Sequence, residues 1–178
     1  MRSVAAEAGV DQKLVGYFFG SKQALFVAAT TLPFDRSGSV ATVLEGDAAD
    51  RGGRLARLIV GLLEHPDTGS RLIGLVRAAA SEREAARMVR DLLVDAIWRP
   101  ASEALPVEDP AVAVNLIATQ IIGLVMTRYV IGVEPLASLP ADEVVALLAP
   151  ILQRHLDGTD NRAGNAPRRR RSRRTGKE

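Results

Sequence analysis

Four polar side chains near the start of the chain have the chemistry needed to recognise a nucleic acid. Gln12 and Lys13 are neighbours, Tyr17 follows four residues after Lys13, and Lys22 lies five residues further on. A glutamine amide can form two hydrogen bonds with an adenine, and a lysine can reach a guanine or a phosphate. We therefore expect this segment to present a polar surface that suits DNA.

Short helices joined by tight turns are predicted to position these side chains. The first helix is expected over 2–8 and should end at Gly9, because glycine adopts positive φ without a steric penalty. Asp11 is a good N-cap for the second helix, which runs to about Phe19. A third helix is expected over 22–31, capped by a serine. Such a pair of helices is typical of a helix-turn-helix, whose second helix enters the major groove of DNA.

The second helix is predicted to have an apolar side and a DNA-facing side, assigned at 100° per residue. The apolar side comprises Leu14, Val15, Phe18 and Phe19. The opposite side comprises Gln12, Lys13, Gly16 and Tyr17. A glycine in an exposed helical face costs about 1 kcal/mol relative to alanine, so Gly16 suggests that a backbone approaches closely there.

Lys22 lies in the first turn of the third helix, where a cation opposes the helix dipole. A phosphate bound at that N-terminus would suit both the lysine and the free N–H groups. The alternative is that Lys13 and Lys22 are ordinary solvated charges.

The run AAEAGV at 5–10, followed after eight residues by FGSK at 19–22 and QALF at 23–26, closely resembles the DNA-binding motif of the TetR (tetracycline-repressor-like) family. The spacing matches without gaps over 2–30. A weaker resemblance over 31–157 matches the family's ligand-binding and dimerisation domain.

This resemblance implies roles for individual residues. Val10, Val15 and Phe19 would be core residues, and Lys22 would anchor a phosphate. The DNA-binding set that it implies comprises Arg2, Ser3, Gln12, Lys13, Gly16, Tyr17 and Lys22. Gly16 and Phe18 replace residues that are usually Tyr or His in the family, so we expect fewer phosphate contacts than usual.

The family also has a complete helix and a threonine-containing turn before the position of Arg2. We therefore expect the first helix of the DNA-binding unit to be missing, through a late start site, a fragment or a decayed gene product. Two functions follow from this expectation. The first is a ligand-responsive, homodimeric DNA-binding regulator, which the resemblance implies is a repressor. The alternative is a dimerisation or ligand-binding module that has lost DNA binding, because Val4, Ala8 and Val10 lack their covering helix.

Composition argues against an enzyme or a metal protein. The chain of 178 residues contains no cysteine and only two histidines, His65 and His155, far apart in sequence. No acid/base pair or activated nucleophile stands out, so we expect no catalytic residue, no metal site and no cofactor. No signal peptide is visible, and the expected location is the bacterial cytoplasm, at the nucleoid.

The predicted fold is all-α, with a helix-turn-helix domain over 1–33, a helical regulatory and dimerisation domain over 34–158, and an Arg-rich tail over 159–178. About six helices are expected between Pro33 and Gly158. A helix is predicted near 39–45, with breaks on either side of it at 33–38 and 46–53. The features predicted further on are a stop at His65-Pro66, an N-cap at Asp67, a capping box over Ser81–Glu84 and an end or kink at Pro100. Two later helices are expected to start at Asp109-Pro110 and at Pro140.

The helices predicted at about 110–133 and 141–156 are more apolar than one small domain requires. Paired with the same helices of a second chain, they would form a four-helix interface, and the dimer would recognise an inverted repeat in DNA. The alternative is that this surface is intramolecular core. A membrane-spanning role for 111–133 is disfavoured, because Arg128 would be costly in a bilayer.

A pocket for an unknown small-molecule effector is implied by the family and only weakly by the residues. The candidate lining residues are Met88, Trp98, Thr119, Gln120, Met126, Arg128 and Tyr129. Arg128 could bind a carboxylate ligand, although such an arginine more often forms a salt bridge, here with Asp95, Glu103 or Glu134.

The formal net charge of +2 is distributed unevenly. Residues 161–178 contain eight Lys and Arg against the single acid Glu178, which leaves 15 basic and 20 acidic residues in 1–160. The tail is therefore expected to be disordered. It would either raise non-specific affinity for DNA by contacting phosphates or be a dispensable solvated terminus.

Overall fold

The computed structural model describes residues 1–29 and 41–158, and within these ranges the chain folds into helices without a strand. The predicted all-α class is therefore confirmed. The predicted break at 33–38 and the tail over 159–178 lie outside the described residues, as do the end of the third helix and the start of the helix near 39–45.

The first range contains three helices, α1 over Arg2–Glu7, α2 over Gln12–Phe19 and α3 over Lys22–Ala29. In the second range residues 41–44 are helical and a 3-10 turn covers Ala48–Asp50. The helices that follow are α4 over Arg51–Glu64, α5 over Pro66–Ser81, α6 over Arg83–Leu93, α7 over Arg99–Ala104, α8 over Pro110–Leu124 and α9 over Ala141–Leu156. Two π-helical stretches occur, Val94–Trp98 between α6 and α7, and Val125–Ile131 after α8.

The turns of the helix-turn-helix form as predicted. Gly9 has a φ of +67° after α1. The N–H of Lys13 donates to Oδ1 of Asp11 at 2.7 Å, which caps α2. The N–H of Ala24 donates to Oγ of Ser21 at 3.0 Å, which caps α3. These caps satisfy backbone donors that have no partner inside the helices.

The predicted capping box over Ser81–Glu84 is wrong. α5 extends to Ser81, whose hydroxyl donates to the carbonyl of Ala78 at 3.1 Å. The N-cap of α6 is Glu82, whose carboxylate accepts from the N–H groups of Glu84 at 3.3 Å and Ala85 at 3.4 Å. The glutamate carboxylate reaches forward to the first turn of α6, and the serine hydroxyl bonds instead to the preceding helix.

The predicted cap at Asp67 is also wrong, since α5 begins at Pro66. Nδ1 of His65 accepts from the N–H of Thr68 at 3.5 Å, and the proline ring presets φ for the first helical position. Asp67 lies in the first turn, where its charge favours the helix dipole.

Pro100 does not end the helical run, and the backbone instead changes its hydrogen-bonding pattern just before it. The π-helical stretch Val94–Trp98 precedes it, and Pro100 then lies in the first turn of α7. A proline is tolerated there because the N–H groups of a first turn need no intrahelical partner.

The predicted break over 46–53 is too long, because α4 begins at Arg51 and includes two buried glycines, Gly52 and Gly53. A Cβ on Gly52 would lie 2.6 Å from the backbone nitrogen of Gln153 in α9. The side chain of Gln153 completes the contact, accepting from the N–H of Gly52 at 2.6 Å. Glycine here permits close helix packing rather than a break.

Two groups of buried apolar side chains organise the chain. The main core joins α4, α8 and α9 and includes Ala56, Val60, Leu63, Val114, Ile117, Leu124, Val144, Leu148, Leu152 and Leu156. The second group, which we call the linking cluster, consists of Val27, Leu75, Ala78, Ala85, Val89 and Ala96. Because Val27 belongs to α3, the linking cluster attaches the helix-turn-helix to α5 and α6.

The segment Pro110–Ile131 is long and apolar enough to span a membrane by length and composition alone. Its residues Val114, Ile117 and Leu124 lie in the main core, and 33% of its most apolar window is buried inside the chain. Core helices of soluble proteins have the same properties, so the segment is weak evidence for a membrane.

The packing of Gly52 gives a prediction about stability. Gly52→Ala should lower the free energy of unfolding by about 1–3 kcal/mol, since the methyl group would collide with the backbone of α9. The matched control is Gly61→Ala in the same helix, where a Cβ meets no atom within 4 Å. That change should raise the free energy of unfolding by about 0.4–1 kcal/mol. Urea unfolding followed by circular dichroism measures both values, and equal shifts would contradict the close contact.

Candidate DNA-binding surface and apolar cavity

The helix α2 exposes the polar side chains that the sequence assigned to DNA. Gln12, Lys13 and Tyr17 are exposed, and Tyr17 is 84% exposed to solvent. Nε of Arg2 donates to Oε1 of Gln12 at 3.3 Å, which places a guanidinium of α1 beside α2. Lys13 and Tyr17 are one turn apart on the same helix, so these four side chains form one polar surface.

The remaining predicted residues lie at the borders of this surface. Ser3 and Lys22 are exposed, and Lys22 is the first residue of α3. Gly16 is half-buried, and a Cβ there would meet no described atom within 4 Å. Packing within the described chain therefore gives no reason for this glycine, and its close approach to a partner stays a prediction.

Only part of the apolar side of α2 is buried. Val15 is buried and Phe19 is half-buried, but Leu14 is 48% and Phe18 68% exposed. Val10, expected in the core, is 42% exposed. The buried residues that α1 and α3 offer near the turn are small alanines and one valine, so only a narrow stripe of α2 is covered.

α3 connects this surface to the rest of the chain through polar and apolar contacts. The hydroxyl of Ser21 donates to Oε2 of Glu82 at 2.6 Å, which joins the N-cap of α3 to the N-cap of α6. Val27 is 4% exposed in the linking cluster. The ring of Phe26 lies so close to Gly74 that a Cβ there would be 2.8 Å away. This attachment was not predicted from the sequence, which assigned Ser21 to a local cap and gave Glu82 no role.

A cavity of about 240 Å³ lies between α4, α5, α6 and α8. Every described residue that lines it is apolar. Helix α4 supplies one wall, with Leu55, Leu58, Ile59 and Leu62 at helical spacing. Other lining residues include Leu72, Leu75 and Val76 of α5, Val89 and Leu92 of α6, Trp98, and Ile117, Ala118 and Ile121 of α8.

Trp98 is the one residue of the predicted pocket set that lines this cavity. Its indole N–H donates to Oδ1 of Asn115 at 3.0 Å. Thr119 is exposed, and its hydroxyl donates to the carbonyl of Asn115 at 2.9 Å. Met88 packs against the linking cluster, while Gln120 and Met126 are half-buried outside the cavity lining. The leucine and isoleucine spacing in α4 was the signal that could have identified the cavity.

Arg128 forms an ion pair, but with none of the three predicted acids. Its Nη2 lies 3.0 Å from Oε1 of Glu64, and its Nη1 donates to the carbonyl of Leu136 at 2.5 Å. Asp95 instead pairs with Arg99 at 2.7 Å. Glu64 is distant in sequence, so helical spacing gave no indication of this pairing.

Tyr129 completes this polar group, and its hydroxyl donates to Oε1 of Glu64 at 2.7 Å. This hydrogen bond, with the Arg128 charge, holds the pKa of Glu64 below its usual value against the opposing effect of burial. Burial and the neighbouring carboxylate raise the pKa of Tyr129 to about 12. The pKa of Arg128 is raised: burial opposes the charge, but its bonds to Glu64 and Tyr129 outweigh that effect. The group fastens the segment after α8 to α4.

The Glu64 carboxylate predicts a pH dependence of stability. Its pKa is lower in the folded chain, so its contribution is present above the unfolded pKa and is lost as pH falls through the folded pKa. Glu64→Gln should lower the free energy of unfolding by about 1 kcal/mol near neutral pH, a small value because Glu64 is partly exposed. Urea unfolding of both proteins at several pH values should show the difference shrink below about pH 4. The exposed Glu103→Gln is the control, and a pH-independent difference would argue against the pairing.

Comparison with known proteins gives consistent matches. Residues 49–156 match the family model described as "Tetracyclin repressor-like, C-terminal domain". A solved structure of a TetR-family regulator from Streptomyces coelicolor A3 is 31% identical in sequence, with a TM-score of 0.59. The match covers 88% of this chain and 81% of that one. No curated protein matches the sequence significantly.

Proposed function

The chain belongs to the TetR family of transcriptional regulators, and from this premise we propose that it is a homodimeric, ligand-responsive repressor that binds an inverted repeat in DNA. The observation that carries the proposal is the exposure of Gln12, Lys13 and Tyr17 on one face of the second helix of a helix-turn-helix. A cytoplasmic location and the absence of a catalytic role are parts of the same proposal.

In the proposed complex α2 lies in the major groove. Gln12 and Lys13 occupy its first turn, the part of a recognition helix that contacts base edges. Gln12 would pair with an adenine and Lys13 with a guanine or a phosphate. Lys22 and the free N–H groups at the start of α3 would hold a phosphate and fix the orientation of the helix.

Exposed apolar side chains on α8 and α9 support the proposed dimer. Leu147 is 60% and Ile151 42% exposed, one turn apart on α9, whose opposite side lies in the main core. On α8 the exposed apolar residues include Val112, Leu116 and Ile122. Such surfaces on two adjacent helices fit a four-helix contact with a second copy of the chain. Two-fold symmetry would then place two α2 helices on one face of DNA.

The cavity supports the proposed response to a ligand. Leu75, Val89 and Ala96 line the cavity and also belong to the linking cluster that holds Val27 of α3. A molecule in the cavity would therefore contact the same helices that position the helix-turn-helix. It would alter DNA affinity only to the extent that it binds the two domain arrangements with different affinity.

DNA binding by α2 is tested by substitution. Operator sequences would first be selected from a random DNA pool with the full-length chain, and affinities then measured by fluorescence anisotropy. Lys13→Ala should weaken binding about 5- to 150-fold, the range for one lost base contact. Lys22→Ala should reduce the slope of log affinity against log salt by about 1 if the lysine contacts a phosphate.

The control for these variants is Arg90→Ala, which removes an exposed cation from α6, away from the proposed surface. It should leave affinity and salt slope unchanged. The proposal fails if no sequence is enriched by the wild-type chain, or if Arg90→Ala and Lys13→Ala have equal effects.

The dimer interface is tested with Leu147→Glu combined with Ile151→Glu. Two carboxylates buried without partners would oppose association, so the variant should be monomeric at micromolar concentration where the wild type is dimeric. Sedimentation equilibrium measures the state. Leu14→Glu places the same charge on a comparably exposed leucine of α2 and should leave the dimer intact. A monomeric wild type, or a dimer that survives the double substitution, would disprove this interface.

A further inference from the structure

We propose that the effector is an uncharged hydrocarbon-like molecule of about nine or ten carbon atoms, bound in the cavity between α4, α5, α6 and α8. The inference rests on the proposed regulatory function and specifies the chemistry of its ligand. It follows from the size of the cavity, from its lining and from the positions of the nearest charged groups.

The size of the cavity sets the size of the ligand. The cavity measures about 240 Å³. An apolar protein cavity of about 150 Å³ is known to stay dry and to bind benzene, which has six carbons. In proportion, this cavity suits a molecule of about nine or ten carbons.

The lining sets the polarity of the ligand. Leucine, isoleucine and valine make up most of the wall, together with a few alanines and Trp98. The indole N–H of Trp98 is the polar side-chain group of this lining, and Asn115 already accepts its hydrogen bond. A charged ligand would lose its hydration without gaining a partner here, which is strongly unfavourable.

Arg128, the arginine that sequence analysis offered to a carboxylate ligand, does not line the cavity. Its guanidinium is 8% exposed and contacts the carboxylate of Glu64 and the carbonyl of Leu136. The buried cation of the π-helical stretch after α8 is thus committed to a structural ion pair. An anionic ligand would find no counter-ion among the described residues that form the wall of the cavity.

Trp98 is the only tryptophan of the chain and provides a direct measurement of binding. We would titrate the full-length protein, without DNA, with three probes that share a nine-carbon bicyclic frame: indane, indane-2-carboxylate and 2-aminoindane. Indane should give a saturable one-to-one change in Trp98 emission. The anion and the cation should bind at least 100-fold more weakly, because neither finds a partner in the cavity. Equal or tighter binding of either charged probe would overturn the proposal, as would the absence of saturable indane binding.

The location of the probe is tested by reducing the cavity. Ala118→Leu adds three carbons to its α8 wall and should weaken indane binding at least 10-fold. Ala80→Leu makes the same change at an exposed position of α5 and should have no effect. Ala101→Leu, from α7, narrows the same cavity and serves as a second variant if Ala118→Leu does not fold. Unchanged indane affinity in a folded cavity variant would overturn the assignment of the site.

The effector role is separated from DNA binding by one further titration. Saturating indane should change the affinity of the wild-type chain for its selected DNA at least 5-fold, while Ala118→Leu should lose this response. If indane binds but DNA affinity stays constant, the molecule is not an effector, although DNA binding itself stands. If no DNA is bound at all, the proposed function fails, and the fluorescence titrations still decide the ligand class.

Discussion

The close approach of the α4 and α9 backbones at Gly52 is the constraint on which the rest of the body depends. A stripe of α4 with small residues at Gly52 and Ala56, followed by Val60, lies against α9 and fills the main core. This contact orients α4 so that its second apolar stripe, with Leu55, Leu58, Ile59 and Leu62, faces away and lines the cavity. The helix can therefore be tightly packed on one side and border an open space on the other.

The cavity and the DNA-binding unit share their supports. α5 and α6 form a wall of the cavity, and the same two helices hold α3. Leu75 and Val89 line the cavity and also belong to the linking cluster. The attachment of α3 includes Val27, the Phe26 ring and the Ser21–Glu82 hydrogen bond. A shift of α5 or α6 by a fraction of a side chain therefore reaches α3 directly, without a longer path through the main core.

The all-α fold and the turns of the helix-turn-helix were predictable from the sequence, because these turns depend on neighbouring residues. Gly9 and Asp11 act as predicted, since a helix end is decided within one turn. The expected burial of Val10 and the expected partners of Arg128 were wrong, because residue type and spacing do not show which distant part of the chain covers a side chain or pairs with it. Gly52 shows the same limit. Its neighbours in the sequence suggest a break, and only the close approach of α9, about a hundred residues later, explains why this position needs a glycine.

The hydrogen bond between Ser21 and Glu82 has a consequence for the way movement passes between the two parts of the chain. Both side chains also cap the helices on which they lie, so neither can rotate away without leaving backbone donors unpaired. Hydrogen bonds weaken steeply outside a narrow range of distance and angle. The Ser21–Glu82 hydrogen bond therefore holds α3 to α6 only while the two helices keep nearly the same relative position, and a larger displacement breaks it.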